Sequence, residues 1–490
     1  MRYILSIILT LLAVSATTAQ HKVISLKECL EVGLEQNYDI RIVRNDERIS
    51  SNNATVANAG MLPSLSLSSG YAGSADRTEI TPREGDKIVN EASYDQTLDV
   101  GVSLNWTLFD GMSVRTNLKK LRELEQMGKL KTRLTIEDFI ANLTAEYYNL
   151  IQQTLRLKNY RYAVALSRER LRITEARYQI GDFSRLDLLQ AKVDFNADSS
   201  QYMTQQELVS ASRIRINELM ANADINERCV ARDSVIEVNG DLRWDELSHQ
   251  TATGNVSLLI ADRNTAISEL ELKAVQSRNY PYLTLAAGYG YTHNHFAKGE
   301  TKTRGTLGPN VGLKLGFTIF DGNRRREQRN ARIEIENAQY TKEQLQQSLM
   351  ADLANFWQAY QNNLEVIKLE KDNLIAAKEN YNIAMERYLL GDLPGIDMRE
   401  AQKSLLNAEE RILTAEYNTK LCEISLMQIS GNILEYLEKK DVVEAQRVKI
   451  IGFLQFFFKK ICRIVFLPYI CTTKQQWWIH LRARIHASHA

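Results

Sequence analysis

The chain has 490 residues, of which 25% are charged, and its 61 basic and 60 acidic residues leave a net charge of only +1. Proteins that bind nucleic acids carry a marked basic excess, so we expect no nucleic-acid partner. The five cysteines are widely scattered, which excludes a disulfide-rich scaffold and indicates no metal site.

The first 20 residues have the layout of a secretory signal. Arg2 precedes an apolar stretch at 4–14, and small and polar residues follow at 15–20. This order is typical of a signal peptide that is removed on export. We therefore assign residues 1–20 to a signal peptide and residues 21–440 to the exported body.

The body contains one pattern twice, with repeat one at about 24–222 and repeat two at about 241–434. The segment 100–111 returns as 311–322, with Phe-Asp-Gly at the end of both copies. Internal repetition of this extent indicates that one structural plan is used twice in the chain.

Each repeat begins with a predicted helix, at about 26–60 and about 244–278. In repeat one it opens with Ser-Leu-Lys-Glu from Ser25, the pattern of a capping box. Asn37 returns as Asn255 within these segments.

Two strands follow the first helix of each repeat. Residues 98–108 alternate between apolar and polar, and residues 311–319 do the same. Partner strands begin at Leu65 and Leu283. The predicted loops between the strands lie at about 72–97 and 292–308. Alternation with a period of two is typical of a strand with one apolar and one polar face.

A very long helix comes next in each repeat. Residues 323–390 contain no glycine or proline, and residues 113–180 contain only Gly128. An apolar seam at helical spacing includes Leu353, Phe356, Tyr360, Leu364, Ile367, Leu374, Tyr381, Met385 and Tyr388. A helix of this length spans roughly 100 Å, which is typical of coiled coils. A final helix follows at about 185–220 and 396–432.

The body has no apolar run long enough for a membrane-spanning helix, so a membrane crossing would need strands closed into a barrel. Four strands per chain cannot close a barrel. Eight strands have an interior nearly filled by side chains, so an open pore needs at least three chains.

The chain contains a repeated Phe-Asp-Gly, a repeated Arg-Tyr-x-x-Gly-Asp that starts at Arg177 and Arg387, and a duplicated plan of helix, strand, strand, long helix and helix. In these features it resembles, from about residue 24 to residue 436, the TolC-like outer-membrane efflux protein (outer membrane factor) family. The resemblance implies a mainly α fold with a membrane β-barrel. It implies a homotrimer with a 12-stranded barrel in outer-membrane lipid and a helical coiled-coil tunnel in the periplasm.

The same resemblance implies a channel and not an enzyme. Such a channel is the exit duct of a tripartite efflux or type I secretion system. Its partners would be a periplasmic adaptor (membrane fusion) protein and an inner-membrane transporter of the RND or ABC type. The alternative is a non-conducting periplasmic coiled-coil scaffold, which explains the helices but not the apolar faces of the strands.

The helix reversals carry the first candidate site residues, which are Gly181, Asp182, Gly391 and Asp392. Glycine supplies the backbone freedom for a sharp turn, and we expect each aspartate to cap the following helix. Two interpretations stay open. This structural role is sufficient by itself, or the turns also dock the adaptor, as the resemblance implies.

Asp397 and Glu400 are three residues apart and share one face of the last helix. One interpretation is a solvated acidic face. The resemblance implies instead that both line the closed periplasmic mouth, and that Asp187 and Tyr388 make interhelical contacts that hold it shut. The basic gate partner of the family falls at Leu393, so we expect a different latch here.

We find no catalytic constellation, cofactor motif or nucleotide-binding loop, and we predict no enzyme activity, cofactor or metal. His293 and His295 are too few for a metal site. Residues 441–490 are rich in basic and aromatic residues and lie outside the repeat. They form either an amphipathic membrane-surface segment or a dispensable extension without fixed structure.

Overall fold

The computed structural model of the protein describes residues 22–297 and 301–434. The chain divides into a unit that ends at Ile433 and a second unit from Leu434 to Ala490. The predicted signal peptide and the predicted atypical tail both lie outside the described residues.

The described part of the chain forms eight helices and six strands. The helices are α1 Leu26–Gln36, α2 Tyr38–Asn53, α3 Ser113–Gln179, α4 Arg185–Leu219, α5 Trp244–Gly254, α6 Val256–Ser277, α7 Gly322–Leu390 and α8 Gly395–Ile429. The strands are β1 Lys22–Ile24, β2 Ser64–Ile80, β3 Ile88–Asp110, β4 Cys229–Ala231, β5 Tyr282–His295 and β6 Thr303–Gly316.

Each repeat opens with two helices, because an asparagine interrupts the predicted single helix. The Asn37 side chain accepts hydrogen bonds from two amides at the start of α2, at 2.9 and 3.2 Å. Asn255 makes the same contacts at the start of α6, at 2.9 and 3.2 Å. Each asparagine also donates to a carbonyl in the last helix of its repeat. The predicted continuous helices at about 26–60 and 244–278 are therefore wrong at this break.

Strands β2, β3, β5 and β6 form one antiparallel sheet in that order. Strand β3 joins the repeats, because it pairs with β2 of repeat one and with β5 of repeat two. Within the described residues, β2 and β6 each have one strand neighbour. Both outer edges of the sheet are therefore open.

One face of this sheet is apolar and the other is polar. The register places Leu67 opposite Val102 on the apolar face. The same face also carries Leu65, Leu104, Trp106, Leu285, Ala287, Tyr289, Val311, Leu313 and Leu315. On the polar face, the hydroxyls of Ser66 and Ser103 lie 2.8 Å apart. The alternation predicted for 98–108 is confirmed.

The strand lengths differ from the prediction. Much of the loops predicted at about 72–97 and 292–308 is strand, and only residues 81–87 separate β2 from β3. A paired backbone satisfies its hydrogen bonds whatever the side chains, so polar sequence did not exclude a strand. In contrast, β6 ends at Gly316, opposite the first residue of β5. Ile319, which was predicted to extend this strand, lies beyond it.

The long helices are confirmed, with 67 residues in α3 and 69 residues in α7. Each spans roughly 100 Å. Along the predicted seam of α7, the buried side chains are Leu353, Tyr360, Tyr381 and Tyr388, and Phe356 is exposed. None of the helices within the described ranges is long and apolar enough to cross a lipid bilayer.

Many side chains in the middle of α3 are buried. A parallel pair of strands that the sequence did not predict, β1 and β4, lies beside it. The Tyr147 hydroxyl donates to Asp233 at 2.9 Å next to this pair. Buried neighbours on the same helix are Phe139, Ile140, Leu143, Tyr148, Leu150 and Ile151.

Candidate functional site at the helical tips

Both long helices end in the same kind of turn, and we call these turns the tips. Gly181 and Gly391 adopt φ values of +86° and +90°. Their amides donate to the carbonyl three residues back, at 3.1 and 3.2 Å. The next amides, those of Asp182 and Asp392, donate to the carbonyl five residues back, both at 3.0 Å. This pattern is a Schellman motif, in which glycine supplies the left-handed conformation.

Ser184, rather than Asp182, caps α4. The Ser184 hydroxyl accepts from the Asp187 amide at 3.2 Å, and the Asp187 carboxylate accepts from the Ser184 amide at 3.0 Å. The Ser184 hydroxyl also donates to this carboxylate at 2.6 Å, and this bond together with the bond from the Ser184 amide lowers the pKa of Asp187. Helix α8 follows Pro394 and has no side-chain cap. The expected capping by Asp182 and Asp392 is wrong, because each lies two residues before the capping position.

Tyr388 lies at the centre of an apolar cluster behind the tips. It is 1% exposed, and its hydroxyl lies 3.1 Å from the Thr174 hydroxyl of α3. The other buried members of this tip cluster are Tyr381, Ala384, Met398, Ala401 and Leu405. Leu393 packs against the cluster. Leu393, at the position where the resemblance implied a basic gate partner, thus makes an apolar contact.

Arg177 joins the two tips. It donates to the carbonyls of Tyr388 and Leu389, at 3.3 and 2.9 Å. Its guanidinium also lies 5.1 Å from the centre of the Phe183 ring. The last carbonyls of a helix lack intrahelical partners, and a cation is favourable at that end. Arg177 therefore holds the end of α7 against the end of α3.

Asp397 and Glu400 lie in the first two turns of α8, and both are exposed. Met398 and Ala401, which follow them in sequence, are buried in the tip cluster. The two carboxylates therefore face away from that cluster. Neither forms a hydrogen bond or an ion pair with any residue that the structure describes. They make an acidic face that is open to water or to a cation.

The structure brings some of the predicted site residues together and leaves others apart. Tyr388 and Gly391 both lie beside Arg177. Asp187 bonds only within its own turn among the described residues. Its contact across the mouth, and the lining of the mouth by Asp397 and Glu400, stay predictions.

A network of buried charges that the sequence did not predict includes Arg399 of α8. Arg399 donates two hydrogen bonds to Asp198, both 2.7 Å long, and lies 3.9 Å from Asp194. Asp194 also pairs with Arg170, and Asp198 accepts a hydrogen bond from Ser167. The network joins α3 and α4 of repeat one to α8 of repeat two.

The charges in this network depend on one another. The side chains of Asp198 and Arg170 are only 4% and 7% exposed. Burial lowers the pKa of Arg170, although Asp194 opposes the shift. Burial also acts to lower the pKa of Arg399, but Asp198 and Asp194 outweigh it and raise the pKa. Removal of one partner would leave a buried charge without compensation.

The sequence contains a partial signal for this network. Asp194 and Asp198 are four residues apart on α4, so they share a face. That face also carries Ala191 and Gln205, which are buried. Acidic residues within a buried helix face indicate a cationic partner. The sequence could not identify Arg399 as that partner, because it lies 201 residues from Asp198.

The two histidines considered as metal ligands lie on β5. The His293 ring nitrogen Nδ1 is 3.3 Å from the Tyr291 hydroxyl. Across the described ranges, no three His, Cys, Asp or Glu side chains are grouped so that they could hold a metal ion.

A family model described as Outer membrane efflux protein matches residues 30–222 and 247–432, one segment in each repeat. Outer membrane protein TolC of Vibrio cholerae is 21% identical over 396 residues, which cover 78% of this chain and 84% of that protein. Proteases secretion protein PrtF of Dickeya chrysanthemi is 21% identical over 446 residues, which cover 86% of this chain and 91% of that protein.

The fold also resembles a solved channel. The crystal structure of the Campylobacter jejuni CmeC outer membrane channel matches with a TM-score of 0.69 at 16% identity, over 83% of this chain and 86% of that chain. The family match covers most of the body, and the duplicated plan predicted from the sequence agrees with it. The chain therefore belongs to the outer membrane efflux protein family, and it is an efflux channel of the outer membrane.

Proposed function

We propose that three copies of the chain form one duct, with a barrel of twelve strands in the outer membrane and a helical passage through the periplasm. The observation that carries this proposal is the four-stranded sheet with an exposed apolar face and two open edges. An open edge in lipid leaves unpaired backbone groups, each at a cost of several kcal/mol. Two chains would give eight strands and a filled interior, whereas three chains leave a passage.

The helices beside the open edges support this assembly. Helix α2 leads into β2, and α7 follows β6. Three large apolar side chains on α2, Tyr38, Ile42 and Ile49, are exposed at spacings of four and seven. On α7, Ile333 and Tyr340 are exposed seven residues apart. Regular apolar stripes of this kind need a covering partner. A neighbouring copy that pairs its β2 with β6 would bring α2 against α7.

The tips are assigned to the docking of a periplasmic adaptor protein. Large apolar side chains around both turns are mostly exposed, namely Ile180 79%, Leu186 75%, Leu390 78% and Ile396 74%. Exposed apolar groups that are clustered in this way are typical of protein interaction sites. Substrates would enter from an inner-membrane transporter of the RND or ABC type that is joined to the adaptor.

The acidic face of α8 is assigned to the periplasmic mouth. Three copies of Asp397 and Glu400 would place six carboxylates around one axis. Such crowding favours bound cations, because like charges gain most from a counter-ion. Arg399 and Asp198 would act as the latch, because they hold α8 against repeat one. This contact replaces the salt bridge that Leu393 cannot form.

The assembly can be tested on the purified full chain in a mild detergent. We expect a particle with three times the mass of one chain, recovered from the outer-membrane fraction. Its gel mobility should change on heating, because a closed barrel resists the detergent until it unfolds. A monomer recovered from the soluble periplasm would reject the proposal and favour the non-conducting scaffold.

A further inference from the structure

We infer that the helices directly below the sheet carry a basic belt that binds the phosphate groups of anionic phospholipids in the inner leaflet of the outer membrane. The belt consists of two stripes, one at the start of α3 and one at the start of α7. Their residues are Arg115, Lys119 and Arg122 in stripe one, and Arg325, Arg329 and Arg332 in stripe two. The inference rests on the proposed placement of the apolar sheet face in lipid.

The stripes occupy equivalent positions in the two repeats. Each basic residue of stripe one returns as a basic residue 210 positions later. The rest of these segments, 113–122 and 323–332, has diverged. The three stripe positions are the only ones in the segments at which both repeats carry a charge of the same sign. A shared task for the two stripes explains why these positions alone agree.

The stripe side chains are exposed, and they have no partner among the described residues. All six are exposed, and spacings of four and seven residues place each trio on one helix face. Two other basic residues nearby are paired, with Lys120 2.7 Å from Glu271 and Arg278 2.6 Å from Glu327. Glu327 is the only acidic residue in either segment. The six exposed positive charges are therefore available to an anion from outside the chain.

The residues that precede each stripe favour a lipid headgroup as that anion. Trp106 and Leu108 lead towards stripe one, and Ile319 and Phe320 lead to stripe two, all exposed. Aromatic and apolar residues followed by Arg or Lys are typical of the border between hydrocarbon and water. The stripes begin about 3–5 Å and end about 14–15 Å below the helix starts. Long basic side chains can reach upward from there to the headgroups.

The alternative is that the stripes line the passage. Three copies would then crowd eighteen like charges around one axis, and Glu327 is the only acidic residue that each copy has within segments 113–122 and 323–332. At the perimeter, each guanidinium instead meets a phosphate, which it binds through two hydrogen bonds. A lipid phosphate therefore fits the chemistry of the stripes better than a position facing the passage.

The test uses the intact trimer in phosphatidylcholine vesicles with a trace of spin-labelled lipid. Electron spin resonance measures how strongly the protein holds labelled phosphatidylglycerol compared with labelled phosphatidylcholine. We expect wild-type protein to prefer phosphatidylglycerol about fivefold, the effect usual for one basic side chain at a membrane surface. Changing all six stripe residues to glutamine should reduce the preference to none, and 1 M salt should do the same for wild type.

A matched control removes basic residues from the lower parts of the helices, as Arg161→Gln, Lys192→Gln and Lys403→Gln together. This control should keep the wild-type preference. Three-residue variants of either stripe should each lose part of it, and they carry the test if the six-residue variant does not assemble. An intact, conducting trimer whose lipid preference survives the six changes would overturn the belt and leave the duct itself unaffected. Unchanged lipid preference with an altered ratio of anion to cation current would place the stripes in the passage.

Discussion

An Arg399→Ala variant should lose a hundredfold or more of the protection from hydrogen exchange in the first turns of α8. The change leaves Asp198 and Asp194 buried with too little positive charge. Breaking a buried ion pair by removal of one partner costs about 3–5 kcal/mol. Because α8 packs against repeat one through this network, the loss should appear as local opening at the tip. Exchange measured by mass spectrometry on the assembled protein would report it.

The same helix offers a matched control. Arg411 lies 3.0 Å from Glu370, but its side chain is 51% exposed. An exposed pair contributes only about 0–1 kcal/mol, so Arg411→Ala should leave exchange in α8 nearly unchanged. Adding Asp198→Asn to Arg399→Ala should restore part of the protection, since it removes an uncompensated charge. Equal exchange in the Arg399 and Arg411 variants would contradict the latch.

Val102→Arg should block stable assembly in the membrane, whereas Ser103→Arg should not. The two residues are adjacent on β3 but lie on opposite faces of the sheet. An arginine on a lipid-facing strand position costs about 2–4 kcal/mol at the middle of the bilayer, and the proposed trimer would carry three copies. An arginine on the polar face would meet water in the passage. The measurement is the fraction of heat-modifiable trimer in the outer membrane.

Both variants introduce an arginine at adjacent positions of the same strand. A difference between them therefore does not come from the size of arginine or from its effect on the strand. We expect the trimer to be largely lost in the Val102 variant and retained in the Ser103 variant. If both variants assembled equally well, the apolar face would not lie in lipid.

The sequence could predict the features that produce a periodic pattern of residue types. The alternation over 98–108 identified both faces of β3, because successive side chains on a strand point to opposite sides. The absence of glycine and proline over 323–390 identified α7 almost to the residue. Each of these inferences has support from two copies, because the same pattern occurs in both repeats.

The features that the sequence could not predict depend on contacts between distant segments. The segment around Asn37 reads as a continuous helix in sequence. In the structure Asn37 caps the start of α2 and also donates to a carbonyl of α4, and the second bond joins segments that are distant in sequence. Much of β2 and β3 is polar near the turn between them, so their pairing there is visible only in the sheet register. In the sequence, Arg399 is a single basic residue between Asp397 and Glu400. Its buried partner, Asp198, lies on α4 in the other repeat.

The most direct test of the duct is single-channel current through the purified trimer in a planar lipid bilayer, with a trivalent cation added to the periplasmic side. We expect discrete unit currents that this cation blocks, because the proposed trimer would place six carboxylates, from three copies of Asp397 and Glu400, around the mouth. The double variant Asp397→Asn with Glu400→Gln should conduct but need much more cation for the same block. Block at equal concentrations would show that the acids are only a solvated face. A trimer that inserts into the bilayer and passes no current would contradict the duct itself.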